Sequence, residues 1–182
     1  MLGSVSIIAP IILSVVGAPE QSGNRKQGSE DTLITGTPTL KQEMDSPDRK
    51  NWQKANWSNG KPFNCTWQPD NVTFRNGIMR LTLDDEGCRS SCDGWPFASG
   101  EYRTTQQTYK YGYYEARMKP AAGKGLVSSF FVYAGTYGKR DHHEIDLEFL
   151  GKNCKAVQTN YYAEGKGSHQ RMISLGFNAC KE

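Results

Sequence analysis

The 182-residue chain has no internal repeat, no stretch with convincing helical periodicity and no apolar run of bilayer-spanning length. Without a 3.6-residue apolar stripe, a helical bundle is excluded. Without roughly 18 or more consecutive apolar residues, no segment qualifies as a transmembrane helix, so no membrane partner is expected. Charge of one sign is also lacking: 22 Lys and Arg against 19 Asp and Glu leave a net charge of +3, spread along the chain. Nucleic-acid binding needs basic residues gathered on one face, and it finds no support here. The length leaves room for one ordinary domain. What is present is 36% hydrophobic residues, 11% aromatics, 19 glycines and nine tyrosines in short alternating runs. That combination predicts a packed all-β fold, a β-sandwich.

Residues 1–18 carry no charged side chain and include the apolar stretch Ile7-Ile8-Ala9-Pro10-Ile11-Ile12-Leu13. Val16-Gly17-Ala18 then places small residues where a signal peptidase inspects them, which predicts a secretory signal and an extracellular protein. No Lys or Arg precedes the apolar stretch, so the positive end is the terminal amine alone. Residues 19–48 are rich in Gly, Ser, Thr, Pro and Gln, with few large apolar groups. They read as a flexible linker, and order is expected to begin near Trp52, with the domain running over 49–182.

Five cysteines, at 65, 88, 92, 154 and 180, suit an oxidising compartment. Cys88 and Cys92 lack zinc-knuckle spacing and have no neighbouring His, so no metal ligand set is assigned. Cys65 is a candidate partner for Cys88 or Cys92, and the odd count leaves at least one thiol over. Asn56, Asn64 and Asn71 stand in glycosylation sequons.

Along the chain the signal is strands. Asn71–Phe74 and Ile78–Leu83 flank Asn76-Gly77, two residues that tolerate positive φ, which predicts a hairpin. Alternation over 100–105 puts Glu101 and Arg103 on one face, and 113–119 alternates in the same way. Residues 126–133 are nearly all apolar and are expected to be buried on both faces. Two further strands are expected over 144–150 and 157–162.

The chemistry is concentrated in Glu144-Ile145-Asp146-Leu147-Glu148-Phe149. On a strand Ile145, Leu147 and Phe149 would face the core, while Glu144, Asp146 and Glu148 share the other face. Three carboxylates in a row repel one another and raise at least one pKa, so the row needs a use. Residues four apart on a strand lie roughly 13 Å apart at Cα, and two leaning glutamates could bring their carboxyls to roughly 5–6 Å, near the separation of a retaining glycosidase pair. A divalent-metal site and a plain acidic face are the alternatives from this motif alone. Phe131 and Tyr133 share a face on the preceding strand, and Gln158, Asn160 and Tyr162 share one on the next. Aromatics that stack on sugar rings, beside amides that bind hydroxyls, describe a carbohydrate cleft better than a metal cage.

Several motifs in order then resemble glycoside hydrolase family 16, in its lichenase (endo-β-1,3-1,4-glucanase) branch. They are Asn64-Cys65-Thr66-Trp67, Ser99-Gly100-Glu101-Tyr102-Arg103-Thr104, Tyr111-Gly112-Tyr113-Tyr114-Glu115, Ser128–Tyr133 and Glu144–Lys152, spread from about Trp52 to Ala179. The uninterrupted Glu-Ile-Asp-Leu-Glu-Phe strand is similar to that of lichenases, whereas laminarinase relatives carry an extra Met. The resemblance implies a concanavalin-like jelly roll acting on mixed-linkage β-glucan such as lichenan or barley β-glucan. By it, Glu144 would be the nucleophile, Glu148 the general acid/base and Asp146 their assisting carboxylate in a retaining reaction. It also assigns Asn59, Glu101, Arg103, Phe131, Tyr133, Asn160 and Tyr162 to the substrate cleft. No cofactor is required, although the family's structural calcium is compatible with it, and a monomer is expected.

The chain departs from the family pattern in two places. Where many relatives have Trp-Asp before the nucleophile, it has His142-His143, so an imidazole stands in for a sugar-stacking Trp and one subsite is expected to be weaker. Family domains also run on for roughly a hundred residues past Cys180, in keeping with all-β domains that commonly reach 200–250 residues. An incomplete sandwich is therefore expected, with open edges and an exposed apolar face. Such a chain would be aggregation-prone, and its activity would depend on a complementing segment. Competing readings are a carbohydrate-binding sandwich, a calcium-stabilised structural domain and an inactive remnant.

Overall fold

The structure is a computed structural model that describes residues 38, 40–85, 92–105 and 112–181, together with the backbone of 5–9 and 14–16. Among these residues the regular structure is all strand, apart from one 3-10 turn at Pro69–Asn71. Two N-terminal strands, β1 (Val5–Ala9) and β2 (Ser14–Val16), are followed by β3 (Trp52–Lys54), β4 (Ser58–Gly60), β5 (Cys65–Trp67), β6 (Val72–Arg75) and β7 (Ile78–Leu83). Then come β8 (Phe97–Ser99), β9 (Tyr102–Thr104), β10 (Tyr113–Glu115), β11 (Val127–Ala134), β12 (His143–Leu150), β13 (Ala156–Tyr162) and β14 (Arg171–Ser174).

The strand order in the largest sheet is β11-β12-β13-β14, antiparallel throughout. Smaller sheets pair β1-β7-β6, β10-β2, β3-β9 and β4-β5-β8. The β6–β7 hairpin turns at Asn76 and Gly77, whose φ values of 53° and 71° are the positive pair that such a turn demands. The strand expected over 113–119 ends at Glu115, and β14 was not anticipated.

Two small cores hold the smaller sheets. Leu40 and Trp52 pack with Tyr102, Tyr114 and Phe130, and Met44, Val72 and Met79 pack with Phe74, Leu81 and Tyr102. Within the expected linker, Leu40 and Met44 are isolated apolar residues in a polar tract, and each fills a core gap that local composition cannot reveal. Of that expected linker, residues 19–37 and 39 lie outside the described residues.

The cysteines follow their own pattern. Cys154 and Cys180 form a disulfide with Cα atoms 5.5 Å apart, tying the turn before β13 to the last described residues. Cys92 is disulfide-bonded, whereas Cys65 is a buried free thiol, so Cys65 is not the partner of Cys92. Cys88 lies outside the described residues. Of the sequons, Asn56 and Asn64 are exposed. Asn71 is buried and its amide donates to the Thr82 carbonyl (3.0 Å) and an Asp84 carboxylate oxygen (2.8 Å), which leaves no room for a glycan.

Candidate active site

Strand β12 carries the three acids on one face because a strand alternates its side chains. Register sets what stands opposite each of them. Glu144 lies between Tyr133 on β11 and Tyr162 on β13, Asp146 between Phe131 and Asn160, and Glu148 between Ser129 and Gln158. The predicted Glu144, Asp146, Glu148, Phe131, Tyr133, Asn160 and Tyr162 are therefore gathered on one face of one sheet. Residues 126–133 are not buried on both sides: Tyr133 is 36% exposed, because this face of β11 is the floor of the candidate cleft.

Each acid has a distinct environment. Burial pushes the Asp146 carboxyl up to about 7, and Glu144, Glu148 and a hydrogen bond shared with Glu144 add to the shift, while a hydrogen bond from Asn160 opposes it. Asn160 is buried, and its side-chain oxygen accepts the His169 backbone N–H at 3.2 Å, so its amide nitrogen is the atom that turns to Asp146. Gln158 Nε2 donates to a Glu148 oxygen at 2.6 Å. His142 Nε2 lies 2.8 Å from Glu144 Oε2. Burial also raises the Tyr133 and Tyr162 phenols, and the negative charge of Glu144 adds to both.

The other predicted residues form a second cluster. Glu101 is buried and ion-paired with Arg103 through its Nε, and the Arg103 guanidinium lies 4.5 Å from the centre of the Trp57 ring. Asn59, on β4, hydrogen-bonds Cys65; burial outweighs that contact and pushes the thiol up to about 11, with Glu101 adding to the shift. Arg103 acts electrostatically on Tyr133, which links this cluster to the acid row.

His142 corrects an expectation. It is fully buried, at 0% exposure, so the imidazole cannot stack on a sugar as a substitute for the missing Trp. Sequence reasoning also left three neighbours unassigned: Gln158 as the partner of Glu148, Trp57 beneath Arg103, and Tyr137 against His142. Only Gln158 had a signal, since period-two pairing places it across from Glu148.

Residues 59–182 match the family Glycosyl hydrolases family 16. The chain belongs to that family. It is 43% identical over 172 residues to a beta-glucanase of Acetivibrio thermocellus, covering 94% of this chain and 48% of the relative. It is 48% identical over 131 residues to a beta-glucanase of Bacillus subtilis, covering 71% of this chain and 51% of the relative. Among solved structures, a prokaryotic beta-1,3-1,4-glucanase (lichenase) from a mouse hindgut metagenome superposes with a TM-score of 0.70 at 42% identity, covering 78% of this chain and 64% of that one. The Bacillus licheniformis beta-glucanase gives 0.64 at 40% identity, with coverages of 76% and 62%. The all-β jelly-roll reading of this family 16 chain therefore stands. The chain spans about half the length of the curated relatives it matches.

Proposed function

We propose that this family 16 chain supplies the catalytic face of an endo-β-1,3-1,4-glucanase that retains anomeric configuration. Glu144 attacks the anomeric carbon while Glu148 protonates the leaving oxygen; Glu148 then deprotonates the water that releases the glycosyl-enzyme. Asp146, its carboxyl pushed up to about 7 chiefly by burial, shares a hydrogen bond with Glu144 and so helps to orient it for attack. The observation that carries this reading is the single face on which three acids have three different partners: His142, Asn160 and Gln158. A merely acidic surface has no need of a specific partner for each acid. Similarity to beta-glucanases and to a lichenase supports mixed-linkage β-glucan as the substrate, and a monomer is proposed as the form that binds it.

Among the described residues no group of three or more His, Cys, Asp or Glu converges as a metal-holding cluster. The chemistry proposed here draws on side chains alone. Export is proposed from the pattern of residues 1–18, and N-terminal sequencing of the released protein should begin at Pro19. The deciding experiment is reducing-sugar release from barley β-glucan by the purified chain, beside Glu144→Gln and with laminarin as the competing substrate. Release from barley glucan that the substitution abolishes supports the reading; equal release from laminarin, or release that survives the substitution, refutes it.

One observation favours a second reading, an inactive chain that needs a complementing segment. The apolar face of the largest sheet is open, with Ile145 at 59% and Ile173 at 49% exposure. A soluble, folded chain that binds the glucan without cutting it would favour that reading.

A further inference from the structure

His142 precedes β12 and sits among three tyrosine rings, with its centroid 5.1 Å from that of Tyr133, 5.2 Å from Tyr137 and 4.7 Å from Tyr162. A buried imidazole must satisfy both nitrogens, and here each has one partner. The Gly138 backbone N–H donates to Nδ1 at 3.3 Å. A nitrogen that accepts cannot carry a proton, so the ring proton lies on Nε2 and is donated to Glu144 Oε2 at 2.8 Å. The tautomer is therefore written by the backbone rather than by the acid.

The loop that does this is tightly tied. Gly135 turns the chain at φ +82°, where a Cβ would stand 2.0 Å from the Asp141 carbonyl oxygen, so no other residue fits. The His142 N–H donates to the Lys139 carbonyl at 3.0 Å, and the His142 carbonyl accepts the Gly165 N–H at 2.9 Å. Both sides of the His142 backbone and both ring nitrogens are thus held. A residue retained only to fill space would need none of these polar partners.

We propose that His142 is a positioning residue for Glu144, its Nε2–H holding one carboxylate oxygen while Gly138 fixes the tautomer, so that the other oxygen is presented to the anomeric carbon. This rests on the reading of Glu144 as nucleophile. The bond is made to the attacking carboxylate and not to the sugar, so it governs the aim of the attack rather than substrate affinity. An imidazole thereby takes over the place of an indole without taking over sugar stacking.

The test uses the full chain with two variants. His142→Phe fills the slot between the tyrosines without a donor, and His142→Gln offers an amide N–H near the position of Nε2. On barley β-glucan, His142→Phe should lower kcat about 10- to 100-fold with KM within about twofold, and His142→Gln should recover most of that loss. Both should keep the wild-type melting temperature within a few degrees. Long-range 15N–1H correlation spectra should show His142 as the Nε2–H tautomer, with an Hε2 resonance that moves upfield in Glu144→Gln. Wild-type kcat in His142→Phe would overturn the proposal, as would a Gln variant no better than Phe, or an Nδ1–H tautomer. A chain that releases no sugar but shows the Nε2–H signal and its dependence on Glu144 would defeat the proposed function while upholding the contact. Loss of that dependence in an active chain would defeat this inference alone.

Discussion

The two faces of the β11–β14 sheet reverse the usual relation between residue type and burial. On one face Asp146 is buried at 9% exposure among other acids; on the other, Ile145, its immediate neighbour, is 59% exposed. Leu147, Tyr161 and Ile173 share that apolar face and are 37%, 47% and 49% exposed. Alternation placed both sets correctly, but the expected core side is the open one. Burial is therefore set by what lies over a face, not by the side chains on it. The acid face is roofed by its own neighbours, the tyrosines, Asn160 and the His142 loop. The apolar face has Phe130 drawn into the Leu40–Trp52 core at one end and Val157 buried, but among the described residues little covers Ile145, Leu147, Tyr161 and Ile173. Exposed apolar area of this kind drives association.

The comparison can be broken most sharply at the acids. Glu144→Gln and Glu148→Gln should each reduce glucan hydrolysis by at least about 10³-fold, because both covalent attack and proton transfer are lost. Neither should lower the melting temperature, since removing a charge from the crowded acid row relieves repulsion; a fall of several degrees would show that the row is structural.

Asp146→Asn tests the buried member. The folded carboxyl holds its proton to about pH 7, whereas the ordinary value is 3.8. Between those two values the unfolded chain gives up the proton first, so wild-type stability falls as pH rises through that window. The variant should lack this slope and be about 1–2 kcal/mol better off than wild type, on a relative scale, at pH 8 than at pH 4, after allowance for solvent screening. Parallel urea-denaturation curves at the two pH values would sink the assignment.

Gln158→Ala removes the 2.6 Å hydrogen bond to Glu148 and should cost about 1 kcal/mol of transition-state stabilisation, or about fivefold in kcat. An unchanged kcat would mean that Gln158 does not position the acid/base group. The smallest effect belongs to the open face. Ile145→Ser should cost less than about 1 kcal/mol, where a covered isoleucine would cost several, and it should reduce light scattering by the concentrated chain. A loss of about 3 kcal/mol would show that the face is covered in solution.

How much of this was legible beforehand depended on the range of the interaction. The β6–β7 hairpin was readable because Asn76-Gly77 is a local turn signal, and the acid row because alternation is a property of a single strand. The cleft partners Tyr133, Asn160 and Tyr162 needed only the assumption that successive strands pair. Cys65 misled because spacing says nothing about which thiols meet. Leu40 and Met44 looked like linker because their partners Trp52, Val72 and Met79 come later in the chain. His142 looked like a stand-in for a sugar-stacking Trp because nothing in two adjacent histidines reveals a loop that folds back over one of them.

By itself the sequence determined the all-β class, the face on which the acids stand and membership of a glucanase family, since each is written in local period or in motifs read in order. Only the tertiary structure decided that Asp146 is buried and Ile145 is not, that Cys154 meets Cys180, and that His142 holds Glu144 rather than a sugar. Those outcomes depend on contacts between segments distant in the chain or on how a loop closes, and loop closure is decided by steric fit, not by periodicity.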